Sequence, residues 1–519
     1  MKYVFRVLFI LVLVLMFIAV GCKSKTKSKD MLVYGTTESV TDLDPAEAYD
    51  FHTWEILYNV YEGLMTYKPG TAELQKGLAE SYSINDKGDK YTFKLKEGIK
   101  FTDGTLFTAE SVKWSIDRVM RLESDPGWLV TDFVESVDVV DKYKVRFNLK
   151  QPCGFFLKLV ATVPYYPVNP NVFPADKIVT NPSELKGGKL TGLGAYQMMS
   201  FKRDEEILLK ANPNYYGKTN IDRIVINYFK DPTTMRLAFE KGELDLVYKQ
   251  LNPNDIDDLL KKDEYNSYKI PSPFIRFLCF ETSESVMKNK KARQAVAAMI
   301  DREEICKKVF INQAKPLYSM VPIGMFSHKD YFKTEIGNAN IEFANKRLKE
   351  LGYSKNNPLE FELWYTPSHY GDTEVNMAEV LKNQIEKSEL IKVVPKSAEW
   401  STYLDNFDRK NMAAFLLGWY PDYIDPDNYT AAFAGTTGSA GQGIYFSDPQ
   451  YDKLFMEEKT SVDQEKRKEI FEKIQKLWTE DVPTAPIFQG SLFVFTKENI
   501  TGVKIGTAMT FYYKELKYK

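Results

Sequence analysis

The segment from Gly418 to Tyr429 contains the side chains that are best suited to bind a ligand. It combines two prolines with aromatic rings and three carboxylates; the acidic and aromatic members are Trp419, Tyr420, Asp422, Tyr423, Asp425, Asp427 and Tyr429. A carboxylate beside aromatic rings suits a cationic ligand with an apolar body, because the carboxylate pairs with the charge while the rings stack or exclude water. Aspartates in proline-rich turns also cap backbone amides, so Asp422 and Asp425 are equally compatible with a purely structural role. These residues alone leave both interpretations open.

A buried strand should lead into this segment. The run from Met412 to Leu417 is apolar, which predicts a strand that ends at the polar loop. Elsewhere strand and helix patterns alternate; strands are predicted at 31–37, 221–229, 244–248, 359–365 and 391–394, and helices at 109–120, 233–241, 341–351 and 373–387. Such alternation predicts an α/β fold, with hairpins added at 82–95 and 134–149.

Prolines mark two places where the chain is expected to pass between domains. Pro271 and Pro273 precede a strand that begins near Ile275, and the stretch from Val482 to Pro486 has the same character. The helix predicted from Asp463 to Trp478 carries lysine and glutamate at close spacing, which is typical of a solvated surface helix.

The N-terminus indicates export. Lys2 and Arg6 accompany an apolar run from Val7 to Val20, which is too short for a membrane span and is typical of a secretory signal. Residues 19–22 (Ala-Val-Gly-Cys) resemble a bacterial lipobox, with Ala19 where leucine is preferred. The resemblance implies a signal peptide over 1–21 and a lipid on Cys22. Residues 22–30 are polar and charged, so we expect a flexible tether to a membrane.

Length and composition limit the remaining possibilities. The chain has 519 residues, which is too many for one core, so several domains or lobes are expected. The net charge is −2, so the chain lacks the excess of positive charge that is typical of nucleic-acid-binding proteins. With Cys22 committed to lipid, Cys153, Cys279 and Cys306 are predicted to be mostly buried thiols, with one disulfide left open.

Enzymatic and metal-dependent chemistry find little support. Ser439 lies in the glycine-rich stretch 435–443, which lacks the spacing of a nucleophile elbow and is predicted to be a loop. Gly187-Gly188-Lys189 is not followed by the serine or threonine of a phosphate loop. The three histidines are scattered and form no ligand pair at helical spacing. With neither a nucleophile–base set nor a metal-ligand set in the sequence, we expect no enzyme activity and no cofactor.

A series of short motifs resembles the extracellular solute-binding proteins of peptide-type ABC importers, the group that contains oligopeptide-, dipeptide- and nickel-binding proteins. They occur in the family's order over nearly the whole chain; the segments are 43–45 (LDP), 61–64 (YEGL), 77–81 (GLAES), 91–104 (YTFKLKEGIKFTDG), 108–112 (TAESV), 192–196 (GLGAY), 212–216 (NPNYY), 242–245 (GELD), 298–302 (AMIDR) and the loop at 418–428. Each motif is weak by itself, and the ordered set is specific.

The resemblance implies a two-lobed α/β periplasmic-binding-protein fold (type II-like, cluster C) with an extra subdomain in the first lobe. The implied boundaries are 31–59, 190–272 and 487–519 for lobe I, 60–189 for the extra subdomain and 273–486 for lobe II. The two proline-marked crossings fall near the borders of lobe II.

The resemblance also assigns roles in the loop. The family's ammonium anchor is the aspartate three residues after the tryptophan, here Asp422, and Trp419 becomes a wall of the ligand site, with Tyr420 and Tyr423 as further ligand-binding residues. The arginines that hold a carboxylate in some peptide-binding members are absent, because their positions fall on Leu416 and Ser368. A fixed dipeptide site is therefore disfavoured relative to longer peptides or a non-peptide solute.

The implied protein is a monomeric substrate-binding lipoprotein in the cell envelope, facing the periplasm or the outside, that captures peptides and delivers them to an ABC permease. Its partners are peptide ligand, permease subunits and, through Cys22, the membrane; no nucleic acid is expected. The alternative ligands are an oligosaccharide, or nickel or a metallophore, bound by the same fold, and an adhesin role for a surface lipoprotein is a further alternative.

Overall fold

The computed structural model describes residues 30–519, except 41, 250 and 371. The predicted signal peptide and Cys22 both lie outside the described residues. The strands are β1 Met31–Thr36, β2 Met65–Tyr67, β3 Leu74–Lys76, β4 Ala79–Ile84, β5 Lys90–Leu95, β6 Val134–Asp141, β7 Lys144–Leu149, β8 Tyr196–Lys202, β9 Glu206–Ala211, β10 Arg223–Tyr228, β11 Leu246–Tyr248, β12 Tyr265–Phe280, β13 Lys315–Pro316, β14 Leu359–Tyr365, β15 Ile391–Ser397, β16 Ala414–Trp419, β17 Thr484–Lys497, β18 Ile500–Thr501 and β19 Lys517–Tyr518.

Helices separate most of these strands, as the alternating pattern predicts. They are α1 Phe51–Val60, α2 Ala109–Leu122, α3 Trp128–Thr131, α4 Phe156–Leu159, α5 Pro232–Glu240, α6 Pro253–Leu260, α7 Lys290–Met299, α8 Arg302–Lys308, α9 Tyr331–Glu335, α10 Ile341–Glu350, α11 Pro367–Tyr370, α12 Asp372–Ile385, α13 Trp400–Asp408, α14 Pro426–Ala434, α15 Thr436–Gly441, α16 Pro449–Thr460 and α17 Gln464–Asp481.

One large sheet runs through the molecule. Its strand order is β15-β14-β16-β12-β17-β11-β1-β10-β9-β8, with β13 paired to β17. The long strands β12 and β17 pair antiparallel from Tyr265 opposite Lys497 to Cys279 opposite Thr484 and so connect the two halves of the sheet. Their register shifts between Pro271 and Ile275, where prolines cannot donate ladder hydrogen bonds. Pro271 and Pro273 thus lie at the joint between the halves. The second predicted crossing, from Val482 to Pro486, lies before the joint, because Pro486 pairs with Phe277 and β17 reaches the joint only at Gln489 to Ser491.

The apolar core divides at the same joint. The largest buried cluster draws on residues between 32 and 270 and between 492 and 516, together with Tyr423 and Ile424, and a second draws on residues between 275 and 488. A third, smaller cluster lies on the first side of the joint, around Phe239 and Phe495. A separate four-stranded antiparallel sheet, β4-β5-β7-β6, lies within the segment 60–189. The two larger cores, one on each side of the two joining strands, define two lobes. The individual domain boundaries stay predictions.

Two local expectations are wrong. The stretch 435–443 is not a loop, since α15 spans Thr436–Gly441 and buries Ser439, whose hydroxyl donates to the Phe446 carbonyl at 2.5 Å. Gly438 serves close packing, because a Cβ there would lie 2.5 Å from the Ala431 carbonyl.

The helix predicted from Asp463 to Trp478 is not a solvated one. It spans Gln464–Asp481 as α17 and buries one face, which includes Arg467, Phe471 and Trp478. The charged residues on its outer face concealed this apolar stripe, so close lysine–glutamate spacing alone was a misleading signal.

Candidate functional site

The main cavity lies at the joint of the two halves and has a volume of about 750 Å³. One wall comes from residues at 38, 49–54 and 249–256, and the facing wall comes from residues at 274, 310–314, 373, 419–422 and 488. Residues 490–493 of strand β17 close it at the crossing. A cavity of this size with an aromatic lining falls within the range of small-molecule and peptide sites.

Strand β16 delivers the loop predicted from the sequence to this cavity. The strand ends with Gly418 and Trp419, and Gly418 is required because a Cβ there would lie 2.6 Å from the Phe274 ring. Trp419 lines the cavity, its Nε1 donates to Asn428 Oδ1 at 3.0 Å and its ring meets Phe433 edge-on at 5.1 Å. The tryptophan is therefore held rigidly at the cavity wall.

Tyr420 also lines the cavity. Its ring stacks on Phe274 at 4.5 Å and contacts Phe51 of the opposite wall at 4.8 Å. It stays 37% exposed, which is unusual for a large ring with these contacts. The three rings form an aromatic surface that spans the joint and is open to a ligand.

Asp422 lies on the same wall with both carboxylate oxygens engaged by neutral donors. The Tyr49 hydroxyl donates to Oδ1 at 2.8 Å, and Asn428 Nδ2 donates to Oδ2 at 3.1 Å. Burial raises the pKa of Asp422 above its ordinary value, although these two hydrogen bonds oppose the shift. Within the described part of the chain no lysine, arginine or histidine forms an ion pair with it, so this carboxylate lacks a cationic partner.

Tyr423 is placed away from the cavity. Its ring is buried and stacks on Phe155 at 4.9 Å and 10°, and its hydroxyl donates to Asp427. Tyr423 and Ile424 belong to the core cluster of the first lobe, although the chain around them belongs to the second. The structure therefore brings Trp419, Tyr420 and Asp422 together at the cavity and does not bring Tyr423 with them.

Asp425 has a structural environment that contrasts with that of Asp422. Its side chain caps helix α14 by accepting from the backbone of Asp427 at 3.1 Å. It also pairs with Arg467 at 2.7 Å and with Lys158 at 2.5 Å. Burial opposes its ionisation, but the two cations outweigh burial and hold the pKa of Asp425 well below its ordinary value. The charge of Asp425 is thus satisfied within the protein.

Neither position at which the resemblance places an arginine carries a basic residue. Leu416 is fully buried in β16, opposite Leu278 of β12, and its carbonyl accepts from Tyr403. The side chain of Ser368 lies outside the described part of the structure. The predicted thiols at Cys153, Cys279 and Cys306 are all buried and unpaired.

Sequence reasoning missed the wall that faces Asp422. Tyr49 precedes helix α1, and Lys249 directly follows the short strand β11. Both come from segments that are distant from the loop in sequence, and neither carries a motif of its own. In residues 30–519 outside the gaps, no group of three or more His, Cys, Asp or Glu side chains is arranged to hold a metal ion, and no helix is long and apolar enough to cross a bilayer.

Comparisons with known proteins extend these observations. The family described as bacterial extracellular solute-binding proteins, family 5 Middle, matches residues 73–441. The probable D,D-dipeptide-binding periplasmic protein DdpA of Escherichia coli is 24% identical over 484 residues, which cover 91% of each chain. The oligopeptide-binding protein OppA of Bacillus subtilis is 25% identical over 526 residues, which cover 96% of this chain and 94% of OppA.

A solved structure agrees with the fold. The ABC transporter substrate-binding protein CtaP of Listeria monocytogenes superposes with a TM-score of 0.83 at 23% identity, covering 94% of this chain and 99% of CtaP. The predicted two-lobed α/β fold is confirmed.

Proposed function

Because the chain belongs to family 5 of the bacterial extracellular solute-binding proteins, we propose that it is the substrate-binding lipoprotein of an ABC importer. It captures peptides, oligopeptides in particular, in the cavity between its lobes and delivers them to the permease. OppA and DdpA, two relatives that align along nearly the whole chain, are named for oligopeptide and dipeptide binding. This resemblance supports a peptide as the ligand class.

Asp422 is the observation that carries the proposal. An ionised carboxylate that is partly buried and has only neutral donors is unfavourable until a cation arrives. The ammonium of a peptide N-terminus supplies that cation and forms a charge-assisted hydrogen bond. Trp419 and Tyr420 beside it can accept the apolar part of the first residues, which matches the aromatic lining of the cavity.

The transport step follows from where these groups lie. Trp419 and Asp422 lie at the end of β16, in one half of the large sheet, whereas Tyr49, Phe51 and Lys249 follow β1 and β11 in the other half. A ligand that contacts both walls binds the closed arrangement more tightly than the open one, and it therefore shifts the population towards closure. Backbone pairing between peptide and protein would give affinity with little dependence on sequence.

Native mass spectrometry of protein purified without denaturation tests the ligand class. We expect a series of masses above that of the free protein, which on release and fragmentation give mixed peptides with free N-termini. A sugar, or nickel with or without a metallophore, would instead support one of the alternative ligands of the same fold. Protein first unfolded and refolded in the absence of peptide should carry no such series.

We further propose that Cys22 carries the lipid anchor and that residues 22–30 form the tether. Protein extracted from membranes with detergent should carry a diacylglyceryl mass on a peptide that begins at Cys22. The Cys22→Ser variant should lose this mass and leave the membrane fraction. Cleavage at another position, with membrane association unchanged in the variant, would contradict the assignment.

A further inference from the structure

Lys249 is the one cationic side chain among the residues that the structure describes on the cavity wall. It directly follows β11, which lies in the large sheet between β1 and β17. β1 and β11 are parallel, so Lys249 lies outside the carboxyl end of a strand, where α/β folds commonly place ligand-binding groups. Its backbone has φ of +66°, a conformation that non-glycine residues adopt rarely and that often occurs at functional sites.

The side chain of Lys249 is only 7% exposed, and buried neighbours hold it at the cavity wall. Its Nζ lies 3.1 Å from Glu55 Oε2 and 5.1 Å from the centre of the Tyr248 ring. Glu55 is itself buried and accepts from the Tyr513 hydroxyl at 2.8 Å. Because a lysine ammonium has three N–H donors, the single carboxylate of Glu55 leaves donor capacity for a ligand.

The other charged groups of the cavity are acidic. Glu38 and Asp50 lie on the same wall as Lys249, and Asp422 lies on the facing wall. A ligand carboxylate in this cavity is repelled by these three groups, and Lys249 is the described wall residue that can attract it.

We infer that Lys249 binds a carboxylate of the ligand, so that the cavity recognises a zwitterion by its ammonium at Asp422 and its carboxylate at Lys249. This inference rests on the proposed function. The carboxylate has two sources in a peptide, the C-terminus and an aspartate or glutamate side chain. Because the two anchors belong to different lobes, a ligand that engages both stabilises closure through its own charges.

Peptide pairs that differ only in charge test the inference. The probes are alanine–leucine peptides of two to six residues, each as free acid and as C-terminal amide, and the same peptides with one internal glutamate or glutamine. Calorimetric titration gives the ratio of the two affinities within each pair. A general loss of folded protein affects both members equally and therefore leaves this ratio unchanged. For the wild type we expect at least one pair to favour the carboxylate by about tenfold, as for a charge-assisted hydrogen bond.

Two variants then separate a ligand-binding role from a structural one. Lys249→Met alone would leave Glu55 buried without its cation, so it is combined with Glu55→Gln, and this double variant should bring the ratio to about one. Glu55→Gln alone releases the ammonium from its internal partner and should increase the ratio. These opposite signs are not expected if Lys249 only neutralises Glu55.

The outcomes are distinct. If peptides bind and the affinity ratio within every pair is the same for the wild type and the double variant, Lys249 is structural. The inference is then overturned while the proposed function stands. Preference of the wild type for amides would overturn it as well. If no peptide binds the wild type in either form, the proposed function fails and the inference fails with it. An effect confined to the acid–amide pairs assigns the C-terminus, and one confined to the glutamate pairs assigns a side chain.

Discussion

The Asp422→Asn variant should weaken binding of peptides with a free N-terminus by about 30-fold or more, which corresponds to about 2 kcal/mol. The substitution keeps the shape of the side chain and removes the charge that would pair with the ligand ammonium. Its amide oxygen can still accept from Asn428, while its amide nitrogen faces the Tyr49 hydroxyl, which then has to accept instead of donate. Calorimetric titration with matched free and N-acetylated peptides measures the effect. The acetylated peptides should lose little affinity, since they bring no charge to this position.

The pH dependence of the same binding provides a check. Burial raises the pKa of Asp422 in the free protein, and only the ionised carboxylate pairs with an ammonium. Affinity should therefore be constant near neutral pH and fall as the pH decreases through this raised pKa, by up to about tenfold per pH unit. The decline should begin at a higher pH than for an exposed aspartate and should be absent in Asp422→Asn.

If Asp422→Asn weakens the binding of free and N-acetylated peptides equally, Asp422 only supports the loop and is not the ammonium anchor.

The sequence contained enough information for the loop and not for its surroundings. The apolar run before Trp419 predicted a strand, and the prolines at 271 and 273 predicted a crossing; both are present in the structure, as β16 and the irregular part of β12. Such features follow from local residue types and their spacing. The family resemblance added the expected role of Asp422, which residue chemistry alone could not separate from a turn cap.

Long-range partners decide what each aspartate of the loop does. Asp425 meets Lys158, which is 267 positions away in the chain, and Arg467, which is 42 positions away. No local sequence pattern predicts these ion pairs. No local pattern predicts the Tyr423–Phe155 stack either, which holds the Tyr423 ring away from the cavity. A sequence shows which side chains can ionise. The fold determines which of these charges pair with another residue of the protein and which can pair with a ligand.

The unequal neutralisation of Asp422 and Asp425 divides the loop into two parts. Its first part presents Trp419, Tyr420 and Asp422 to the cavity. Its second part is fixed in the protein by the helix cap and ion pairs of Asp425 and by the buried rings of Tyr423 and Tyr429. Because the second part is rigid, the position of the Asp422 carboxylate depends on the ion pairs behind it as well as on its own hydrogen bonds.

The Arg467→Met variant should reduce the free energy of unfolding by about 3–5 kcal/mol, the range for breaking a buried ion pair by removing one partner. Arg467 is fully buried and pairs with Asp425 and with Glu458, each at 2.7 Å. Burial, together with the neighbouring Asp427, already raises the pKa of Glu458 well above its ordinary value. Without the arginine, Asp425 keeps Lys158 as a partner, whereas Glu458 must take up a proton or remain uncompensated. Urea denaturation followed by circular dichroism measures the change.

Lys466→Met is the matched control, because it makes a similar change at the exposed neighbouring position of α17 and should leave the denaturation midpoint unchanged. Glu458→Gln is a second comparison, since removing the less readily ionised of the two carboxylates should reduce the free energy of unfolding far less than removing the arginine.

If Arg467 supports the loop as the contacts indicate, the arginine variant should also lose affinity for free and N-acetylated peptides alike, unlike Asp422→Asn. Unchanged stability in Arg467→Met would mean that Lys158 alone neutralises Asp425 and that Glu458 is protonated in the native protein. The position of Asp422 would then be set by Tyr49 and Asn428 alone.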